Sequence, residues 1–224
     1  MPDRERVAII IPAYNEEKTI FDAVQRARTY GRVVVVDDGS TDTTFREAIR
    51  AGATVLRQPI NLGKGAALKT GVEFALDKYQ PDFIVFMDAD LQHPPEEIPT
   101  MLRILEERND VELVHAYRQF DKNMPLVFRI GNAFFTLTSR LLFGRYLPDV
   151  LSGFKALRRS AWEKMAWQSR GYSLEVEIFA NIAKHGVKTA VHPIPTIYLD
   201  PRKGTTVLHG FSVLKDLIYF RLTK

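Results

Sequence analysis

The sequence predicts an α/β protein with one mostly parallel sheet between helices, and three observations predict it. Val7–Ile11 and Val33–Val36 are short β-branched runs without polar alternation, the pattern of strands covered on both faces. Between them, Ile20, Ala23, Val24 and Ala27 fall at helical spacing, with acids at the front of the segment and arginines toward its back. The same strand-helix alternation then continues through the first half of the chain, as right-handed β-α-β crossovers require.

Taken in order, the pattern gives a helix near Thr44–Ala51, a strand at Thr54–Arg57 and a helix across Ala66–Lys78. A strand at Phe83–Met87, a helix near Pro95–Arg108 and a strand at Val111–Ala116 follow. After Gln119 the character changes. "MPLVFRIGNAFFTLTSRLLFG" carries an apolar stripe through Leu126, Ile130, Phe134, Leu137 and Leu141, and a narrower polar stripe through Arg129, Asn132, Thr136 and Arg140. Then come strand-like "GFKALRR", helical patterns at Ala161–Trp167 and Leu174–Lys184, strand-like "KTAVHPIPTIYL", and a final apolar helix ending in basic residues. No repeat or Pro/Gly-rich linker divides the chain. It reads as one domain with two functional halves, about 1–119 and about 120–224.

Composition narrows the function. The 224 residues, 46% hydrophobic, suffice for one sizeable core. A net charge of +4 suits an anionic ligand or membrane surface and is too small to argue for nucleic acid. With no cysteine, disulfides, thiolate zinc sites and cysteine nucleophiles are excluded, which is compatible with the cytoplasm. The first residues lack a signal-peptide pattern, and no window has the ~18 uncharged apolar residues of a membrane span. The expectation is a soluble or peripheral protein.

In a parallel α/β sheet, ligands bind beyond the carboxyl ends of the strands. Three polar clusters sit at such ends: "PAYNEE", "DDGSTD" and "MDADLQ". Asp-Gly-Ser after a strand is also an ordinary turn with a helix cap. "DADLQ" says more. In an extended segment Asp88, Asp90 and Gln92 point the same way, and paired carboxylates repel unless a cation lies between them. Oxygen ligands suit Mg²⁺ or Mn²⁺, with water and a substrate phosphate completing the shell; a solvated acidic loop is the alternative. "NLGKGAALKTG" offers backbone amides at a helix start, which attract phosphate, although it is no Walker A loop. His93, followed by two prolines, reads as a loop residue rather than a ligand.

The order "IPAYNEE", "VVVVDDGSTD", "NLGKGAALKTG", "FMDADLQHPPEEIP" and "LSGFKALRR" resembles the family 2 glycosyltransferases, which have the GT-A fold. The match is nearest to polyprenyl-phosphate sugar synthases of the dolichyl-phosphate mannose synthase type, and spans Val7 to about Tyr198. The resemblance implies a base and ribose pocket from Pro12, Tyr14, Glu16, Val36 and Asp38. It places Asp88 and Ala89 against the sugar nucleotide, makes Asp90 and Gln92 the ligands of Mg²⁺ or Mn²⁺, and brings Arg118 to the bound donor. Arg202 and Lys203, in "YLDPRKGTT", resemble a segment that closes over the diphosphate, although the glycine-glutamate-serine-lysine run of the mannose synthases is missing there.

The reaction this implies is transfer of a hexose from a nucleoside-diphosphate sugar to a polyprenyl or dolichyl phosphate, with 1–119 as the nucleotide half and 120–224 as the acceptor half. An acceptor phosphate is already anionic, so no strong base is required, and Asp149 is placed simply near the sugar. Arg129 and Arg140 could hold the lipid phosphate, or snorkel from a packed helix. Segments Leu126–Leu142 and Val207–Leu222 could lie on the inner face of the cell membrane, or serve core packing or dimerisation. A hydroxyl acceptor would need a carboxylate base, which Asp149, Glu175 or Glu177 could supply. A sugar-1-phosphate nucleotidyltransferase would want a glycine-rich run in place of "PAYNEE". A non-catalytic sugar-nucleotide sensor would be expected to lack a metal-site acid.

Overall fold

A computed structural model describes residues 2–119, 136–138, 140–168, 173–197 and 215–222. Among the described residues, seven strands form one sheet: β1 (Val7–Ala13), β2 (Arg32–Asp37), β3 (Thr54–Arg57), β4 (Phe83–Phe86), β5 (Leu113–Arg118), β6 (Lys155–Arg158) and β7 (Thr189–Ile194). Their spatial order is β3-β2-β1-β4-β6-β5-β7. β6 alone runs against its neighbours β4 and β5; the remaining pairs are parallel. Helices fill the connections, among them α1 (Ile20–Ala27), α2 (Thr44–Arg50), α3 (Lys64–Lys78), α4 (Ile98–Glu107), α5 (Arg159–Met165) and α6 (Ser173–Lys184), and residues 136–138, 140–143 and 215–222 are helical as well. The mostly parallel α/β class expected from the sequence is the one observed.

The absence of alternation in the strand sequences has its cause in two separate cores. Val7, Ile9 and Ile11 face one layer with α1, α2 and α4, while Ala8 and Ile10 face the other with α3, α5 and α6. Val33 and Val35 divide from Val34 and Val36 in the same way, as do Phe83 and Val85 from Ile84 and Phe86. Ile9, Ile10 and Ile11 are wholly buried, each contributing about 1.5–3 kcal/mol. Helix α3 crosses the sheet closely enough that a Cβ on Gly71 would stand 2.5 Å from Ile10 Cγ2. A third, smaller cluster joins Leu147, Val150, Val176 and Phe179 to Leu217 and Phe220.

Pro12 lies inside β1, one residue past the predicted strand end. The ladder tolerates it because Ile10 O accepts from Met87 N–H on the β4 side, and β4 ends at Phe86. Two residues on, Pro12 turns its missing N–H to that same vacated side. The chain thus winds β1 to β2 to β3 in one direction and restarts at β4 on β1's other flank. The crevice lies above β1 and β4, where the winding reverses.

Candidate active site

The loops after β1 and β2 are tied to each other before anything binds. Ser40 Oγ accepts from Asn15 N–H at 2.9 Å, Asn15 Oδ1 from Thr41 N–H at 2.9 Å, and Thr44 Oγ1 from Glu16 N–H at 2.7 Å. Asn15 takes φ of +55°, a conformation Asn tolerates better than most residues. Tyr14 is left exposed above the crevice, while the Glu16 carboxylate accepts from the Thr19 hydroxyl at 3.0 Å. Asp38 is buried, and its two oxygens accept from the N–H groups of Leu62 and Gly63 at 2.7 and 2.8 Å. It therefore shapes the glycine-rich loop ahead of α3. The Val36 side chain is wholly buried under α3, so what it offers a ligand is main chain.

Beyond β4 the structure corrects one expectation. "DADLQ" is a turn rather than an extended segment: Leu91 has φ of +63°, and Asp90 Oδ1 accepts from Gln92 N–H at 3.0 Å. The period-two alignment of Asp88, Asp90 and Gln92 fails for that reason. Nor does Asp88 need a metal to offset its charge. Lys64 Nζ stands 2.7 Å from Asp88 Oδ1 and 3.0 Å from Glu175 Oε1. Burial alone would lower the Lys64 ammonium, but the two carboxylates outweigh it and hold its pKa above the ordinary lysine value. Burial likewise opposes ionisation of Asp88, and the charge of Lys64 reverses that, leaving the carboxyl below its usual range. His93 is no ligand. It is buried, stacked on Phe154 at 5.0 Å between ring centroids, and its Nδ1 accepts from Asp88 N–H at 3.0 Å. Burial lowers its pKa to about 4, so the ring is neutral.

A second cluster lies at the end of β5. Arg118 Nε and Nη2 donate to the two oxygens of Asp149 at 2.7 and 2.8 Å. Asp149 is 3% exposed and has φ of +48°. Burial would raise its carboxyl, but the hydrogen bonds and charge of Arg118 bring it down to about 2. Beneath this turn, buried His115 donates Nε2–H to Pro148 O at 2.9 Å and Asp149 O at 3.1 Å, and burial depresses its pKa to about 3. Lys155, directly across from His115 in the sheet, is also buried and donates to Ser152 O; desolvation lowers its pKa to about 8. A cavity of about 360 Å³ opens beside Arg118, walled by Tyr117, Leu137, Tyr146 and Pro148, with Arg140 on its rim.

The structure thus brings Pro12, Tyr14, Glu16, Val36, Asp38, Asp88, Ala89, Asp90 and Gln92 to the ends of β1, β2 and β4, and pairs Arg118 with Asp149. Arg129, Arg202 and Lys203 lie outside the described residues. Sequence reasoning missed Lys64 as an ion-pair centre, along with His115 and Lys155. A signal for the last two existed, since each is an isolated basic residue in an otherwise strand-like run.

A crevice at the winding reversal, floored by acids and bounded by fixed cations, is the architecture of a GT-A glycosyltransferase. The profile of Glycosyl transferase family 2 matches residues 8–166, and the chain belongs to this family. Among relatives, it is 30% identical to a dolichyl-phosphate hexose transferase of Haloferax volcanii, covering 96% of each chain. It is 29% identical to a UDP-N-acetylglucosamine–dolichyl-phosphate N-acetylglucosaminyltransferase of Methanococcus voltae, covering 97% of each chain. The fold superposes with a TM-score of 0.72, at 21% identity, on glucosyl-3-phosphoglycerate synthase from Mycobacterium tuberculosis in complex with Mn²⁺, UDP-glucose and phosphoglyceric acid. That match covers 96% of this chain and 79% of the other.

Proposed function

We propose that this glycosyltransferase moves a hexose, with inversion, from a GDP- or UDP-sugar to a polyprenyl or dolichyl phosphate. One observation carries the choice of acceptor. Each carboxylate that a hydroxyl acceptor would need as its base is already engaged: Asp149 by Arg118, Glu175 by Lys64, and Glu177 by Gln168 N–H at 3.1 Å. An acceptor phosphate needs no base, and the cavity beside Arg118 sets Arg140 and the Asp149-paired Arg118 against the apolar side chains of Leu137, Tyr146 and Pro148, a lining suited to a phosphate on a prenyl chain. The names of the two relatives, both acting on dolichyl phosphate, support the same reading.

In this account the acceptor oxygen attacks the anomeric carbon while the nucleoside diphosphate leaves from the opposite face. Arg118 reaches the bound donor and Asp149 holds Arg118 in place, while Arg129 and Arg140 hold the acceptor phosphate. Positioning two anions against each other is the main task, since their repulsion must be screened before they react. Tyr14, Glu16, Asp38 and the Val36 main chain surround the base and ribose. Arg202 and Lys203 close over the diphosphate.

The donor set fits a divalent cation shared with the substrate. Asp90 and Gln92 supply hard oxygens from one tight turn, suited to Mg²⁺ or Mn²⁺. Among the described residues no group of three His, Asp or Glu could hold a metal alone. The remaining positions then fall to diphosphate oxygens and water, and a bound cation would offset the charge that grows on the leaving group. The Mn²⁺ and UDP-glucose of the structural relative support this donor class.

A lipid acceptor calls for an enzyme that works at a membrane surface, in this reading the inner face of the cell membrane. No helix among the described residues is long and apolar enough to cross one. Leu137, Leu141 and Tyr146 are exposed near the cavity, as are Ile218, Tyr219 and Leu222 on the helical segment 215–222, offering an apolar surface to lie against lipid. The test offers polyprenyl phosphate, polyprenol and a free saccharide in parallel with a panel of GDP- and UDP-sugars. Glycolipid from the phosphate alone is expected; transfer to polyprenol or saccharide instead would overturn the acceptor assignment.

A further inference from the structure

The ammonium of Lys64 sits where three elements converge. It starts α3, reaches Asp88 past the end of β4, and reaches Glu175 on α6. Its side chain is 31% exposed, Glu175's 9% and Asp88's 28%. A lysine at the first residue of a helix is badly placed for the helix itself, since the N-terminus already carries partial positive charge. Something other than helix stability holds it there.

Gly153 supplies the second, independent observation. A Cβ at this position would stand 2.7 Å from Lys64 Nζ and 3.0 and 3.2 Å from the two Asp88 oxygens. The space that a side chain would occupy is filled by this ion pair. "SGFK", which the sequence resemblance left without a role for its glycine, thereby acquires one. The segment comes from the acceptor half of the chain, as does Glu175, whereas Lys64 and Asp88 come from the nucleotide half.

We infer that Lys64 is a positioning residue: bridging Glu175 to Asp88, it fixes the Asp88 carboxylate against the donor, in a space that Gly153 keeps open. The inference rests on the donor-site reading above and adds three residues to it. It also joins the two halves through one cation, so that the donor contact is set partly by α6 and the turn before β6. Lys64 itself touches no reacting atom.

Removing Lys64 would strand two carboxylates and could prevent folding, so the primary test is Gly153→Ala. That methyl displaces the flexible end of Lys64 and crowds the Asp88 carboxylate beside it while leaving every charge present, and all three atoms it meets belong to side chains. Affinity for GDP and UDP with Mn²⁺ would be measured by calorimetry, and donor and acceptor KM and kcat by glycolipid formation. Since misplacing a contact by about 1 Å can cost about 10²-fold, a drop of 10- to 100-fold in donor kcat/KM is expected. Acceptor KM should stay within about twofold of wild type.

Lys64→Met should show the same donor-specific loss, and Gly153→Ala on top of Lys64→Met should add clearly less than it costs alone, because the ammonium at 2.7 Å has gone and only the looser Asp88 approaches at 3.0 and 3.2 Å remain. A merely structural glycine would lower Tm, shift donor and acceptor constants together, and remain additive with Lys64→Met. Either additivity or a wild-type donor KM in Gly153→Ala overturns the inference and leaves the transferase reading intact. If the wild-type protein binds neither nucleotide, the transferase reading itself falls and takes this inference with it.

Discussion

Replacing Asp149 by Asn removes the charge that holds Arg118 while keeping the side chain's shape. Asp149 is nearly inaccessible and its pKa lies near 2, below the ordinary value of about 3.8. A depression of that size corresponds to about 2–3 kcal/mol of stability near neutral pH. Hydrogen bonds to a charged group, at about 1.5–3 kcal/mol, give the same scale. Breaking a fully buried pair would cost more, but the Arg118 side chain is 30% exposed and recovers part of its solvation. The sign follows from the depressed carboxylate. Its stabilisation is complete above about pH 5 and is lost as pH falls from about 4 toward 2. Urea unfolding of both proteins at pH 7 should therefore separate them by about 2–3 kcal/mol, with Tm lowered by roughly 4–12 °C. Near pH 3 the gap should have shrunk by about half or more. An unchanged midpoint at pH 7, or a gap that persists undiminished in acid, would refute the ion-pair argument. Turnover separates the two chemical roles: a fall of about tenfold suits a residue that orients Arg118, whereas a loss of about 10⁴-fold would mark a general base.

Asp38→Ala strips the N–H groups of Leu62 and Gly63 of their acceptor, so it should cost about 1–3 kcal/mol in unfolding experiments and raise donor KM more than acceptor KM. For the membrane surface, deleting the C-terminal helix is a poor probe because Leu217 and Phe220 belong to a core cluster. Ile218→Glu with Leu222→Glu leaves those two in place; co-sedimentation with anionic vesicles should fall severalfold while Tm stays within about 2 °C, and undiminished sedimentation would remove this helix from the interface. Gly153→Ala tests the Lys64 bridge through a loss confined to the donor side.

The first half of the chain was legible because its strands are buried on both faces and its helices on one, so each element shows its own period. Strand ends were less legible. Pro12 argued for an early stop to β1, and only the shorter β4 beside it explains why the strand continues. The acidic clusters were found from their place after strands, but the geometry of "DADLQ" was not, since a left-handed Leu91 leaves no mark in composition. Lys64 and Glu175 are separated by 111 positions, and no local pattern announces that they meet at 3.0 Å. Long-range ion pairs in the crevice had to come from the fold.

The central claim is metal-dependent sugar transfer to a polyprenyl phosphate at the Asp90–Gln92 turn. Its most direct test is glycolipid formation by wild type and Asp90→Ala, each with Mn²⁺, with Mg²⁺ and after chelation, across GDP- and UDP-sugars. The account predicts product from wild type with metal, loss of at least about 10²-fold on chelation or in Asp90→Ala, and an inverted anomeric centre in the product. Equal product from Asp90→Ala, or from chelated wild type, would contradict it.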